Sequence, residues 1–84
     1  MSYNIKYFSH KTCHENNNFH RFDLGTSFEE VLEWCIDNNC KGFSRDPDGY
    51  YHAKHPDISS QSLINSVNYS RIFFNNFHMY IITE

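Results

Sequence analysis

The chain has 84 residues, a formal net charge of −3, and aromatic residues at 18% of its positions. This length allows a single domain, and so many aromatic side chains at so low a net charge are untypical of a disordered chain. The acidic balance argues against nucleic-acid and membrane-surface partners, which need basic surface. No apolar run of about 18 residues is present to span a bilayer.

The first part of the chain predicts two strands. Residues 5–9 and 19–24 alternate apolar and polar side chains, which is typical of half-buried strands. The polar residues 16–18 separate them, and Gly25 ends the second.

The strongest helix signal follows Ser27. A capping box marks the start of this helix, formed either by Ser27 with Glu30 or by Thr26 with Glu29. Asn38 and Asn39 tolerate left-handed backbone and predict its end. Apolar residues recur at the spacing of one helix face, at Phe28, Val31, Leu32, Cys35 and Ile36.

The second half predicts a hairpin and further strands. Residues 41–45 and 50–54 flank a turn that contains Pro47 and Gly49. Residues 58–69 predict a polar loop with a helical turn around Leu63, Ile64 and Val67, and residues 71–74 and 77–83 predict strands. We expect the last strand to be an edge that can pair between chains. The fold class is therefore α+β, with one α-helix packed on a small antiparallel sheet of about five strands.

Three cysteines, Cys13, Cys35 and Cys40, form an odd set, which argues against a fully bonded secreted scaffold. Cys35 lies on the apolar helix face, where a cysteine is ordinarily a small buried hydrophobe.

Residues 24–84 resemble the PAN/apple family, whose domains carry two cysteines on a capped helix, a third before a Gly/Ala-Phe strand and a fourth on the hairpin. Cys35 matches the second of these cysteines, and Cys40 matches the third. Val31 stands at the first and His52 near the fourth, which represents the loss of one bridge. Further matches are Gly42-Phe43-Ser44 and the closing Tyr80-Ile81-Ile82. The resemblance implies a disulfide between Cys35 and Cys40, and a non-catalytic module that binds proteins or carbohydrates.

A metal site is the main alternative. Zinc takes four imidazole or thiolate ligands, and two close pairs of such residues brought together would supply them. The spacing matches no zinc-finger pattern, and His52 and His55 on one strand would point to opposite faces. Polar surface histidines are the ordinary interpretation. The candidate ligands are His10, Cys13, His14, His52 and His55.

No catalytic constellation is evident, so we expect neither an enzyme nor a cofactor. Cys13 beside His14 has no orienting acid, and the three glycines are too isolated to form a phosphate-binding loop. Exposed aromatic residues are the candidate binding groups, because they anchor proteins and stack on sugars. These are Trp34, Tyr50 and Tyr51, with ordinary packing as the alternative for Trp34 and for one tyrosine.

The sequence predicts a non-catalytic protein-binding or assembly module that can form a homo-oligomer. Ten asparagines among many Phe, Tyr, Ile and Lys residues are typical of A/T-rich coding sequences, as in large viruses, phages and low-GC microbes. A virion component or a virus–host interaction protein fits this composition, and an inhibitor of a host enzyme is a further hypothesis. Residues 1–6 do not match a signal peptide, which favours an intracellular or virion location.

Overall fold

The computed structural model describes residues 3–9, 18–68 and 76–83. They form a five-stranded antiparallel sheet with two helices, which confirms the α+β class. The strands are β1 (Asn4–Ser9), β2 (Asn18–Arg21), β3 (Gly42–Arg45), β4 (Tyr51–Lys54) and β5 (His78–Thr83), and the helices are α1 (Phe28–Asp37) and α2 (Ser60–Asn68). Their spatial order is β1-β5-β3-β4-β2. Neither of these helices is long and apolar enough to cross a membrane.

Helix α1 begins and ends where its local signals predict. The Ser27 side chain accepts a hydrogen bond from the backbone amide of Glu30 at 3.2 Å, which satisfies one of the free amides of the first turn. Asn39, just beyond the helix, has a φ of 59°, the left-handed conformation that Asn tolerates. Val31 and Cys35 are fully buried, so the predicted apolar face is the packed one.

The hairpin β3–β4 also forms as predicted. The Asp46 carboxylate accepts hydrogen bonds from the backbone amides of Asp48 and Tyr50, both at 3.0 Å. Gly49 has a φ of 97°, which residues other than glycine rarely adopt. The turn is therefore held by its own carboxylate and by one glycine.

The sheet carries one helix on each face. Along β5, Tyr80 and Ile82 point towards α1, where Phe28 contacts Tyr80 at a ring distance of 5.1 Å. Met79 and Ile81 point to the opposite face and pack with α2. The cluster under α1 contains Phe22, Val31, Cys35, Cys40, Phe43, Ala53 and Ile82, and the cluster under α2 contains Leu63, Val67, Met79 and Ile81.

Helix α2 contains the helical turn that was predicted around Leu63, Ile64 and Val67, so this part of the prediction is confirmed. The prediction of a single helix was wrong, because residues 60–68 form a second one rather than one turn in a polar loop. The Ser59 hydroxyl accepts from the backbone amide of Ser62 at 3.1 Å and caps the helix. Leu63 and Val67 are fully buried. Two buried positions among polar neighbours give a weak periodic signal, so the helix depends on tertiary packing rather than on its own pattern.

Strand β5 is not an edge, which is a second correction. It lies between β1 and β3 and pairs with both, so its backbone is not exposed for pairing between chains. Among the described residues the sheet edges are β1 and β2. The predicted strand at residues 71–74 lies outside the described residues.

Removing the side chain of Leu63 tests whether α2 is an integral part of the fold. We expect Leu63→Ala to lower the free energy of unfolding in urea by about 2–5 kcal/mol, because it opens a cavity in a fully buried cluster. Ile64→Ala is the control, since Ile64 is only half-buried, and its loss should be clearly smaller. Equal, small losses for both variants would contradict this position of α2.

Candidate functional site

Four rings from three distant parts of the chain meet at the surface beside strand β2. We call Phe19, His20, Trp34 and His55 the aromatic patch. His20 stacks on Trp34 with ring centroids 4.7 Å apart and an angle of 18° between planes. Phe19 lies 6.2 Å from Trp34 and 5.1 Å from His55, with an edge of one ring facing the other in the second pair. These contacts join β2, α1 and the end of β4 into one surface.

The patch rests on a buried support and remains open to solvent. Phe22 lies beneath it, with its ring at 5.2 Å and 88° to Trp34, and is only 7% exposed. Phe19 is 48% exposed, His20 is exposed, and Trp34 is half-buried. Large aromatic rings therefore lie at the surface above a buried aromatic ring.

Helix α1 gives the patch an acidic border. Residues three and four positions from Trp34 are its neighbours on the helix surface, and these include Glu30 and Asp37. Glu29 and Glu33 are exposed on the same helix, which contains no basic residue. The helix surface beside Trp34 therefore carries acidic side chains and no basic one.

The structure does not bring the predicted binding tyrosines into this patch. Tyr51 packs on Phe43 at 5.9 Å, and the Arg45 guanidinium lies over it at 5.6 Å. Tyr50 lies under the Arg21 guanidinium at 5.0 Å. Among the described residues no ring contact joins either tyrosine to Trp34, so the three candidates do not form one site.

Sequence reasoning missed the partners of Trp34. The signal present was the dense aromatic run Phe19, His20 and Phe22 on a predicted strand. The contact between these rings and Trp34 depends on the packing of α1 over the β2 side of the sheet, which no local sequence pattern shows.

An imidazole–carboxylate pair lies at the hairpin turn. His52 Nε2 is 2.8 Å from Asp46 Oδ2, and both side chains are less than one-fifth exposed. Burial alone would raise the pKa of Asp46, but hydrogen bonds from His52 and from the backbone amides of Tyr50 and Asp48 outweigh it and hold this pKa below its ordinary value. The pair therefore braces the hairpin.

Ser44 lies opposite His52 in the β3–β4 register, so a hydroxyl, an imidazole and a carboxylate lie close together. These are the groups of a hydrolase triad. Here the carboxylate is occupied by the turn amides, and Ser44 is only 2% exposed, so a substrate has no open path to its hydroxyl. The arrangement suits a structural role.

The metal prediction is covered only in part by the structure. His52 is engaged by Asp46, and His55 Nδ1 lies 3.5 Å from the exposed carboxylate of Asp57. His10, Cys13 and His14 lie outside the described residues. Within the described residues, no group of three or more His, Cys, Asp or Glu side chains is placed to hold a metal ion.

Cys35 and Cys40 are free, buried thiols that lie close together. The Cys40 backbone amide donates to the Cys35 carbonyl at 2.8 Å, and the Cys40 thiol donates to the Asn38 carbonyl at 3.9 Å. Burial, and then the neighbouring Cys40 thiol, raise the pKa of Cys35 to about 12. Burial also raises the pKa of Cys40. Cys35 is therefore protonated and unreactive at neutral pH, and the disulfide between the two cysteines stays a prediction.

A cleft of about 440 Å³ lies between the end of α1 and the first turn of α2. Cys40, Lys41 and Ser59 are among the residues that line it. The Lys41 ammonium donates to the Pro56 carbonyl at 3.1 Å, so this cation already has a partner. Because Cys40 lines this cleft, a small reagent can approach its thiol from solvent.

Comparison with known proteins assigns no family. No family model matches the sequence, and searches of curated proteins and of solved structures found no significant match. The resemblance to PAN/apple domains therefore stays a prediction. Val31 and His52, which stand at its missing bridge, lie on opposite sides of the sheet, because Val31 clusters with Phe43 and Ala53 whereas His52 points to the other face.

Replacing Asp46 tests the brace through its pH dependence. Because the folded pKa of Asp46 lies below the unfolded one, its stabilisation is present above about pH 4 and is lost as the pH falls through the folded value. We expect Asp46→Asn to be less stable than the wild type at neutral pH, and the two stabilities to converge below about pH 4. Urea unfolding across this range measures the difference. Asp57→Asn is the control, because the Asp57 side chain is 89% exposed, and a similar pH profile for both variants would contradict the brace.

Alkylation of the native protein tests the environment of the two thiols. Only a thiolate reacts, so we expect Cys35 to stay unmodified at neutral pH, with Cys40 reacting first from the cleft. In denaturant both should react without reductant if they are free. Mass spectrometry of the labelled peptides measures each site. Rapid native labelling of Cys35 would contradict its burial, and labelling that requires reductant would show a disulfide.

Proposed function

We propose that this protein is a non-catalytic protein-binding module and that the aromatic patch is its binding surface. The observation that carries the proposal is the exposure of Phe19, at 48%, in direct continuity with Trp34. Residues that dominate binding energy are most often aromatic rings or arginines at the centre of a well-packed surface. The patch supplies two such rings above the buried Phe22.

Its composition supports a protein partner. Phe19 and Trp34 are tilted by 45° to one another, so together they do not form the flat platform on which a sugar ring stacks, and they suit an apolar side chain better. His20 and His55 add polar edges around the rings. A binding surface commonly joins an apolar centre to a polar rim in this way.

The acidic border defines the chemistry of the partner further. Glu30 and Asp37 lie beside Trp34 on α1, and the chain carries a net charge of −3. We infer that the partner presents an apolar or aromatic anchor next to lysine or arginine side chains. Opposite charges at the rim raise the association rate and make it sensitive to salt.

The remaining polar groups support a non-catalytic role. Asp46 and His52 are hydrogen-bonded to each other, and Asp46 also accepts from the turn amides, while Ser44 is buried close to them. The polar pair therefore serves to hold β4, which in turn holds His55 beside Phe19.

Affinity capture with matched variants tests the proposal. A protein retained by the immobilised wild type should bind Phe19→Ser at least tenfold more weakly, because truncating a central aromatic anchor costs about 2 kcal/mol or more. Leu24→Ser is the matched control, since Leu24 is an apolar residue that is 61% exposed and is not one of the four residues of the patch, and it should retain the partner. Circular dichroism of both variants checks that the fold is unchanged.

Fluorescence supplies an independent measurement. Trp34 is the only tryptophan, so its emission reports on the patch alone. Binding of the captured partner should bury Trp34 and shift its emission to shorter wavelength. The affinity measured from this shift should fall as salt is added. A partner that binds both variants equally and leaves Trp34 emission unchanged would overturn the assignment.

A further inference from the structure

The outer edge of strand β1 is a second surface, at the opposite side of the sheet from the aromatic patch. On one side β1 pairs with β5 over all six of its residues. Beyond its other side, no strand pairs with it in the part of the chain that the structure describes. An edge strand of this kind presents unpaired backbone amides and carbonyls to a further strand.

The two edges of the sheet differ in how well they suit such pairing. Strand β2 has four residues and a break in its register between Asn18 and His20, and such irregularities discourage a neighbour. Strand β1 has six residues in continuous register, contains no proline, and carries one charge, on Lys6. It therefore lacks most of the devices that protect an edge strand.

A hydrogen bond shows which residues of β1 direct their backbone outward. The Thr83 hydroxyl donates to the backbone carbonyl of Asn4 at 3.3 Å, so this carbonyl faces β5. Backbone groups alternate in direction along a strand. The outward groups are therefore those of Ile5, Tyr7 and Ser9.

We propose that β1 pairs antiparallel with β1 of a second copy of this chain, around a two-fold axis at Tyr7. Opposed residues of antiparallel strands point to the same face, which leaves two registers with five residues of overlap, one centred on Lys6 and one on Tyr7. The Tyr7 register places all three outward residues in hydrogen-bonded pairs, whereas the Lys6 register uses only Ile5 and Tyr7.

Side-chain chemistry selects the same register. Centring the pair on Lys6 sets two ammonium groups against each other, and like charges directly opposite are unfavourable. Centring the pair on Tyr7 places Lys6 opposite Phe8 of the second copy. It also places Tyr7 opposite Tyr7 of the second copy. Ile5 and Tyr7 are 36% and 51% exposed in the single chain, and the pairing covers part of both.

The dimer leaves the proposed binding surface free. Because β1 and β2 are opposite edges of the sheet, the two aromatic patches lie at the far ends of one continuous sheet. Two identical sites in one particle raise the apparent affinity for a partner with repeated binding segments. This inference is independent of the proposed function, since it rests on different residues.

Sedimentation of the wild type and a cysteine trap test the proposal together. The measured mass should rise with concentration from 10.1 kDa to twice that value. In a Cys13→Ser background, Tyr7→Cys should form a covalent dimer under mild oxidation, because opposed residues of antiparallel strands have Cα atoms within disulfide range. Ile5→Cys is the matched control, since its two copies lie roughly 13 Å apart in this register, and it should cross-link at least tenfold less.

Three results would overturn the inference. A wild type that remains at 10.1 kDa at every concentration excludes the dimer, whether or not Tyr7→Cys folds. Equal cross-linking of Ile5→Cys and Tyr7→Cys excludes the register. Loss of the dimer in Phe19→Ser assigns the interface to the aromatic patch instead, whereas a Phe19→Ser dimer that no longer binds the partner supports both proposals.

Discussion

The rest of the structure depends on the burial of β5 on both of its faces. Tyr80 and Ile82 pack with the cluster under α1, and Met79 and Ile81 pack under α2. A strand that is apolar on both sides must be covered on both sides, so the sheet requires two helices. Gly42 on β3 shows how closely α2 approaches, because a Cβ at this position would lie 2.9 Å from the Leu63 side chain.

This central position of β5 also decides what remains accessible. With β5, β3 and β4 inside the sheet, β1 and β2 become the edges. At the β2 edge, on the face that α1 covers, Trp34 packs over Phe22, and the aromatic patch is built around this contact. The β1 edge lies at the other side, with an outward backbone that nothing in the described structure pairs. The central position of β5 thus places the aromatic patch at one edge of the sheet and the outward backbone of β1 at the other.

Local signals predicted much of the fold because they depend on a few adjacent residues. The Ser27 cap and the left-handed Asn39 define α1 through contacts within one turn, and Asp46 with Gly49 defines the hairpin in the same way. Helix α2 has a cap at Ser59 but only two fully buried apolar positions. Such a segment is not stable as an isolated helix, so its structure depends on the sheet face that it covers.

By itself the sequence determined the class, the first helix and the hairpin turn, since each follows from composition or from neighbours in the chain. Only the tertiary structure decided the second helix, the strand order and the membership of the candidate site. Phe19, Trp34 and His55 are far apart in sequence and become neighbours through strand pairing and helix packing. Pairing partners depend on burial across the whole sheet, which no local pattern encodes.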